Sequence, residues 1–476
     1  MFGYISKRLL FFIPTILIIS VLTFALSKMT PGDPVRLALG NQDQGEGGGG
    51  AASDKAAGEK AYLAMAEQMG LNLPSFYFQI SNTATPDTLY RYVKKPERDN
   101  LERLIGMYGN WVQIEQYYRA IKNVEFAMLN TKQDSTTFAG GRIVRENCAK
   151  LYTEYKDRNA TQYISDIVTV SESVHAMAAV SAQAKLLQNC YLGVKATATP
   201  AKTYIPSIKW YGFSNQYHRW LSNFLKLDFG FSYQDKRPVW SKIKEALPWT
   251  LWLNFFSIML SYLIAIPLGI ASARYKGSIL DRISTIFLFM LYSLPSFWIA
   301  TMLIIFFTNP EYGMNFFPTN GVGNVSSDMG FFAVFAERGV HFILPIFCLT
   351  YGSLAYLSRQ MRGGILGVFR QDYIRTARAK GLSENTVVWK HAFRNSLIPI
   401  ITIFASLFPA AISGSFIIEN IFSIPGMGKI ALDALSGRDY PIVFTVMMFS
   451  AFLTLVGTLI SDILYVIVDP RISFEK

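Results

Sequence analysis

Asp372-Tyr373-Ile374-Arg375-Thr376-Ala377-Arg378-Ala379-Lys380-Gly381-Leu382-Ser383-Glu384 is followed by Val387-Val388-Trp389 and then by His391-Ala392-Phe393-Arg394-Asn395-Ser396-Leu397-Ile398-Pro399. Residues 371–380 are good helix formers, and the run predicts a helix there. Gly381 supplies a residue that adopts a left-handed helix end without penalty. Ser383 is a natural N-cap for a second helix, and Glu384 suits its first turn. The stretch therefore reads as a helix–turn–helix that enters an apolar run at Leu397. Positive charge beside a membrane would explain its arginines but not its small residues. Ala377 and Ala379 flank the turn at Gly381, which suggests close approach to another protein.

Working outward, the flanks of this hairpin are apolar. Half of the 476 residues (51%) are apolar and only 16% are charged, yet the formal net charge is +12. That balance excludes a disordered chain, and three cysteines exclude a Cys-rich metal framework. Six stretches approach or exceed the roughly 20 residues of helix that cross a bilayer: 9–27, 250–273, 283–307, 340–357, 397–418 and 442–468. The first could be read as a signal peptide, but at 19 residues it exceeds the usual 7–15 of such a core. Basic residues gather at alternate ends: Lys7 and Arg8, then Arg274, Lys276 and Arg282, then eight between Arg359 and Arg394 against two acidic. Residues 40–235 are nearly neutral, with 21 basic and 19 acidic. By the positive-inside rule both termini are cytoplasmic and 41–235 is external. The surplus sits where topology requires it, so no nucleic-acid partner is expected. The expectation is an all-α polytopic membrane protein in contact with lipid, with a large, mainly helical external insert between spans one and two.

The hairpin resembles the coupling-loop motif of ABC importer permeases, and within them the dipeptide/oligopeptide (peptide/nickel) branch. Thr30-Pro31-Gly32-Asp33-Pro34 is similar to that branch's first external turn. Leu227-Asp228-Phe229-Gly230-Phe231-Ser232-Tyr233, Pro238-Val239 and Leu247-Pro248-Trp249-Thr250-Leu251 resemble its approach to span two, and Asp469-Pro470-Arg471-Ile472 its C-terminus. The likeness covers about 1–40 and 211–476, in the family's order. The glutamate that opens the general permease motif is absent here, which the peptide branch tolerates. The resemblance implies the type I importer fold with six transmembrane helices in a bacterial inner membrane. It implies a second homologous permease subunit, cytoplasmic ATPase subunits and an extracytoplasmic solute-binding protein. Arg375, Thr376, Ala377, Ala379, Gly381, Leu382, Ser383 and Glu384 would then form the ATPase-coupling part of a 359–396 loop, with 372–396 carrying the mechanical link. Peptides are the implied cargo, with nickel or oligosaccharide as alternatives. ATP-Mg would be held by the partner subunits; no cofactor, metal or catalytic residue is expected on this chain. No G-x-x-x-x-G-K-[ST] occurs; Gly426-Met427-Gly428-Lys429 resembles a fragment of one, but Ser423 and Ile430 break the pattern. It reads instead as an external loop over the pore mouth.

The layout expected is a first helix and turn over 1–40, an external region over 41–235 and a transmembrane domain over 236–476. The extra material lies at about 79–210, after a glycine-rich linker at 45–50. Leu101, Leu104, Ile105, Tyr108 and Val112 recur at helical spacing, as do Ile164, Ile167, Val170, Val174 and Met177. Cys148 and Cys190 lie in a disulfide-permissive compartment and could pair. Asp462, inside the last span, is either a functional intramembrane acid or one satisfied by loop arginines or a helix end. A competing reading is a mechanotransmitting ABC membrane protein, which would also carry a large external domain.

Overall fold

A computed structural model describes residues 2–39, 52–131, 135–311, 313–397, 400–401, 403–404 and 414–468. The chain falls into two compact units, one made of 1–30 with 227–476 and the other of 31–226. The first opens with α1 (Phe2–Met29), whose Leu10, Phe11, Ile13, Ile18 and Leu22 are exposed. A helix so apolar on its outside is built for a hydrocarbon solvent.

The 31–226 unit contains α2 (Pro34–Leu39), α3 (Ala52–Gln68), β1 (Phe78–Asn82), α4 (Lys95–Tyr108), α5 (Trp111–Leu129), α6 (Ser135–Leu151), α7 (Asp157–Ser173), α8 (Ala178–Ala196), β2 (Pro206–Trp210) and α9 (Gln216–Leu225). Helix α5 packs on α6 and α8, and α7 packs on the same two, so the four form a closed ring with α6 and α8 on one diagonal. Leu101, Leu104, Ile121, Val124, Ile164, Ile167 and Leu187 meet inside it. The periodic run that ends at Val112 is not one helix. Gly109 ends α4 by taking φ +69°, and only glycine fits there, since a Cβ would stand 2.1 Å from the Thr199 carbonyl oxygen; Val112 falls on the next helix and is 60% exposed.

Cys148 on α6 and Cys190 on α8 stand on the diagonal helices, and both are free thiols in this structure. Both pack on the core, and burial pushes the Cys148 thiol well above its usual range. The fold is also not wholly helical: β1 and β2 pair antiparallel, Phe78 opposite Trp210 and Ile80 opposite Ile208. Aromatic and β-branched residues facing one another across two strands favour such a ribbon. It brings 78–82 and 206–210 side by side.

The other unit continues with α10 (Val239–Arg274), α11 (Ile279–Ser293), α12 (Ser296–Thr308), α13 (Phe331–Val368), α14 (Asp372–Ala379), α15 (Glu384–Thr386), a π turn at Val387–Ala392, α16 (Phe416–Ile421), α17 (Met427–Ser436) and α18 (Tyr440–Val468). Among the described residues, α1, α10, α13 and α18 are each long and apolar enough to cross a membrane. Helices α11 and α12 pass the same test only together and are bent by 94°. The stretch 283–307, expected as one span, is thus broken. Pro295 has no N–H to continue the ladder, and Leu294 before it is extended. The Tyr351 hydroxyl donates to the Leu294 carbonyl at 2.9 Å, satisfying a group the break exposes. The expected span 397–418 lies largely outside the described residues.

Helices α10 and α13 make the most extensive pairing in this unit. Gly269 allows it: a Cβ there would stand 2.6 Å from the Ser358 carbonyl oxygen and 2.7 Å from the Met361 Cβ. Hydroxyls line the same seam. Ser261 Oγ lies 2.7 Å from Ser353 Oγ, and Thr350 Oγ1 donates to the Ser257 carbonyl at 3.4 Å. Small residues that let backbones approach are how helices pack in lipid.

Candidate functional site

The hairpin at 372–396 is built from two amphipathic pieces. On α14, Ile374 and Ala377 turn inward against Met361 and Ile365 of α13 and against Val387, Val388 and Ala392. The opposite face presents Tyr373, Arg375, Thr376, Ala379 and Lys380 to the outside. Gly381 closes the helix with φ +77°, its N–H donating to the Arg378 carbonyl at 2.9 Å while the Leu382 N–H donates to the Ala377 carbonyl at 3.4 Å. Ser383 then caps α15, its hydroxyl accepting from the Thr386 N–H. Arg378 grips Glu384 across the turn with two bonds, at 2.6 and 3.2 Å, and lies over the Phe369 ring.

The hairpin is tied to the rest of its unit at two places and braced within itself. Its core seats on α13. Arg274, at the end of α10, donates to the Asn385 Oδ1 at 2.7 Å, and Asn395 Nδ2 donates to the Tyr373 hydroxyl at 2.7 Å. A force on its outer face must therefore move α10, α13 and the outgoing segment together. Of the residues singled out from sequence, Arg375, Thr376, Ala379, Gly381, Leu382 and Ser383 are exposed, and Glu384 is half-buried by its arginine. Ala377 is different: it is 8% exposed and points into the unit's own core. Its small size serves packing under the hairpin rather than approach by another protein. Asn385, Asn395 and Tyr373 carry no sequence signal of their role, and Arg274 reads there only as a topological charge.

Asp462 on α18 pairs with Arg8 of α1, Oδ2 to the guanidinium at 3.2 Å, where those two helices pack. Its partner is an arginine of the first helix, not of a loop. The Gly426–Lys429 fragment also finds an anion, but an internal one. Glu419, fully buried, accepts from the Gly428 N–H at 2.7 Å, the Lys429 N–H at 3.2 Å, the Ser415 N–H at 3.1 Å and the Thr250 hydroxyl at 3.0 Å. Thr250 Oγ1 in turn accepts from the Met427 N–H at 2.8 Å, fastening the whole loop to α10. The amides that would cradle a phosphate are taken by this carboxylate. Glu419 went unread in the sequence, because a lone Glu after an apolar run looks like the polar end of a span. Among the described residues, no three His, Cys, Asp or Glu side chains are gathered as metal ligands.

Residues 265–474 match the profile of the "binding-protein-dependent transport system inner membrane component" family. The chain is 43% identical over 260 residues to the oligopeptide transport system permease protein AppB of Bacillus subtilis, covering 54% of this chain and 80% of that one. The chain belongs to the peptide branch of the ABC importer permeases. This permease is also 35% identical to the inner membrane ABC transporter permease protein YejB of Escherichia coli O157:H7, over 56% of its own length and 74% of YejB. A putative peptide transport system permease of Brucella abortus (strain 2308) is again 35% identical, over 55% of this chain and 80% of its own. Among solved structures, the inward-facing MetNI methionine ABC transporter aligns with 17% identity and a TM-score of 0.38, over 48% of this chain and 96% of its own. As an importer permease it is a multi-pass inner-membrane subunit and not itself an enzyme, and the mechanotransmitting reading falls away.

Proposed function

We propose that this permease carries di- and oligopeptides inward, driven by ATP hydrolysis on partner subunits. The observation that supports the reading best is the likeness to AppB across four-fifths of that oligopeptide permease. The hairpin at 372–396 is the coupling element. Its exposed residues, Arg375, Thr376, Ala379, Gly381, Leu382 and Ser383, offer a short rigid knob to a groove on the ATPase, and its two anchors pass the motion to α10 and α13. Glu384 and Ala377 act from behind, one fixing the turn and the other seating it. A second permease subunit completes the pore, and a solute-binding protein delivers the cargo. The full subunit has six spans with both termini cytoplasmic, and about 79–210 is an external insertion whose two ends the β-ribbon holds together. Asp462 is a structural acid, neutralised by Arg8.

The test is uptake of a radiolabelled oligopeptide into proteoliposomes holding the four membrane and ATPase subunits with the binding protein. ATP-dependent uptake is expected, and a system that moves nickel or an oligosaccharide but no peptide would overturn the cargo. Gly381→Val tests the coupling. No atom stands within 4 Å of the added Cβ, so its cost is the left-handed backbone alone, on the order of 1–2 kcal/mol. The variant should insert and pair normally, with ATP hydrolysis largely retained and uptake lost. Uptake at the parental rate would remove the hairpin from the coupling role.

A further inference from the structure

Helices α10, α11 and α13 enclose a crevice of about 200 Å3 that the coupling and cargo arguments leave unused. Its polar end holds Ser272 and Ser284, whose hydroxyls lie 3.0 Å apart, with Thr285, Arg359 and Arg362. Its apolar end holds Leu288, Phe289, Tyr292, Ala355 and Tyr356. The two arginines are not equivalent. Arg362 is committed to the buried Asp281 by two bonds, at 2.9 and 2.8 Å. Arg359, a turn earlier on α13, has no ion-pair or hydrogen-bond partner among the described residues, and the hydroxyl of Thr285 has none either.

Arg359 opens the run of basic residues that marks the cytoplasmic edge of the bilayer, at the depth of the headgroups, where an anionic lipid phosphate is available to pair with it. Phe289, Tyr292 and Tyr356 are 59%, 62% and 50% exposed, so the crevice has an open apolar side that a soluble anion would not fill. One end cationic and hydroxylated, the other aromatic and open, is the complement of a phosphate carrying an acyl chain. We propose that this crevice binds an anionic phospholipid, with Arg359 pairing to the phosphate, Thr285 donating to it, and an acyl chain lying along Leu288, Phe289 and Tyr292. The lipid would wedge α11 against α13 and stand in for the hydrogen-bonding partners these helices lack. The inference depends only on α10, α11 and α13 lying in a bilayer, not on which cargo is carried.

The experiment is native mass spectrometry of the complete transporter released from membranes, titrated with phosphatidylglycerol and, separately, phosphatidylethanolamine. The parent should retain phosphatidylglycerol about fivefold better, the effect of one arginine on one anionic lipid. Arg359→Gln should erase that preference, and Arg359→Lys should restore part of it. Arg359 is exposed, so neither change removes a packed group, and an unaltered melting temperature checks this. An unchanged preference in Arg359→Gln would overturn the proposal. So would displacement of the lipid by inorganic phosphate alone, which would mean a small-anion site. Loss of the second permease subunit with the lipid count unchanged would also overturn it, marking the crevice as a protein contact.

Discussion

The two units of this permease are packed by opposite rules. In the 31–226 unit the interior is large and apolar: Tyr117, Tyr118, Ile121, Met128 and Leu187 are fully buried, and no charged residue of α4–α8 among the described residues is fully buried. In the unit built on α10 and α13 many large apolar residues face out, among them Trp252, Phe255, Leu263 and Phe347. Its main seam is glycine and hydroxyl: Gly269 against Ser358, Ser261 against Ser353 and Ser257 against Thr350. The solvent explains the inversion. Removing apolar surface from water drives the first arrangement, at about 25 cal/mol per Å2. Lipid offers no such gain, so helices there are held by how closely their backbones approach.

The largest expected effect tests that closeness. Gly269→Leu places a Cβ 2.6 Å from a backbone oxygen that cannot swing aside, and the rest of the side chain beyond it. Overpacking of this kind costs about 1–3 kcal/mol in forgiving cores and more against backbone. The variant should fail to assemble with its partner subunits, measured by co-purification from membranes. Normal assembly and uptake would mean the α10–α13 seam is slack. Next comes the interior of the other unit. Ile121→Ala removes three buried carbons from a core with no slack and should cost about 3 kcal/mol. Hydrogen exchange on the full chain should show faster opening of α5 and α8 with the spans unaffected. A loss below about 1 kcal/mol would deny that this unit is held by apolar burial.

Sequence showed four of the spans, at 9–27, 250–273, 340–357 and 442–468, and the hairpin, because those rest on local signals: run length, charge at helix ends, and a glycine between two helix formers. Gln371, Gly381 and Ser383 stand where the propensity argument puts a helix start, a turn and a cap. What stayed hidden depends on neighbours distant in the chain. Ala377 looks like a contact residue until Met361 and Val388 are seen beneath it. The break at Leu294 is announced by Pro295, but a proline inside a span is often tolerated, so its 94° consequence is legible only in three dimensions. Glu419 draws its partners from Thr250, Ser415, Gly428 and Lys429, a set no spacing rule connects. Composition allows Cys148 and Cys190 to pair, but that they stand on diagonal helices of the ring is legible only from the packing.

A smaller effect distinguishes the units by pH. Glu125 on α5 is half-buried, and that burial pushes its carboxyl above the ordinary range even though the Tyr152 hydroxyl donates to it at 2.7 Å. A raised folded-state value means the folded unit prefers the protonated acid. That contribution is present below the unfolded-chain value and is lost as pH rises through the folded one. Glu125→Gln keeps an acceptor for Tyr152 and removes the buried charge. It should slow hydrogen exchange of α5 and α6 at neutral pH, with the gain vanishing as pH falls to the ordinary carboxylate range. Equal exchange at neutral pH would show that water reaches the carboxylate.

The smallest effect belongs to the hydroxyl seam. Ser261 and Ser353 share a hydrogen bond at 2.7 Å in which one hydroxyl donates to the other, and each has an alternative acceptor on its own helix: the Ser257 carbonyl 2.7 Å from Ser261 Oγ and the Thr350 carbonyl 2.8 Å from Ser353 Oγ. Removing either serine leaves the other hydroxyl satisfied, so no buried group is orphaned and the main cost of a lost hydrogen bond is absent. A double-mutant cycle of Ser261→Ala and Ser353→Ala, read from unfolding in bilayers, should give a coupling of about 0.6 kcal/mol. Alanine fits where serine stood, so backbone proximity survives in both single variants and in the double. A coupling of several kcal/mol would reverse the comparison between the units: polar bonding across the seam, rather than the approach that Gly269 permits, would then be what holds α10 to α13.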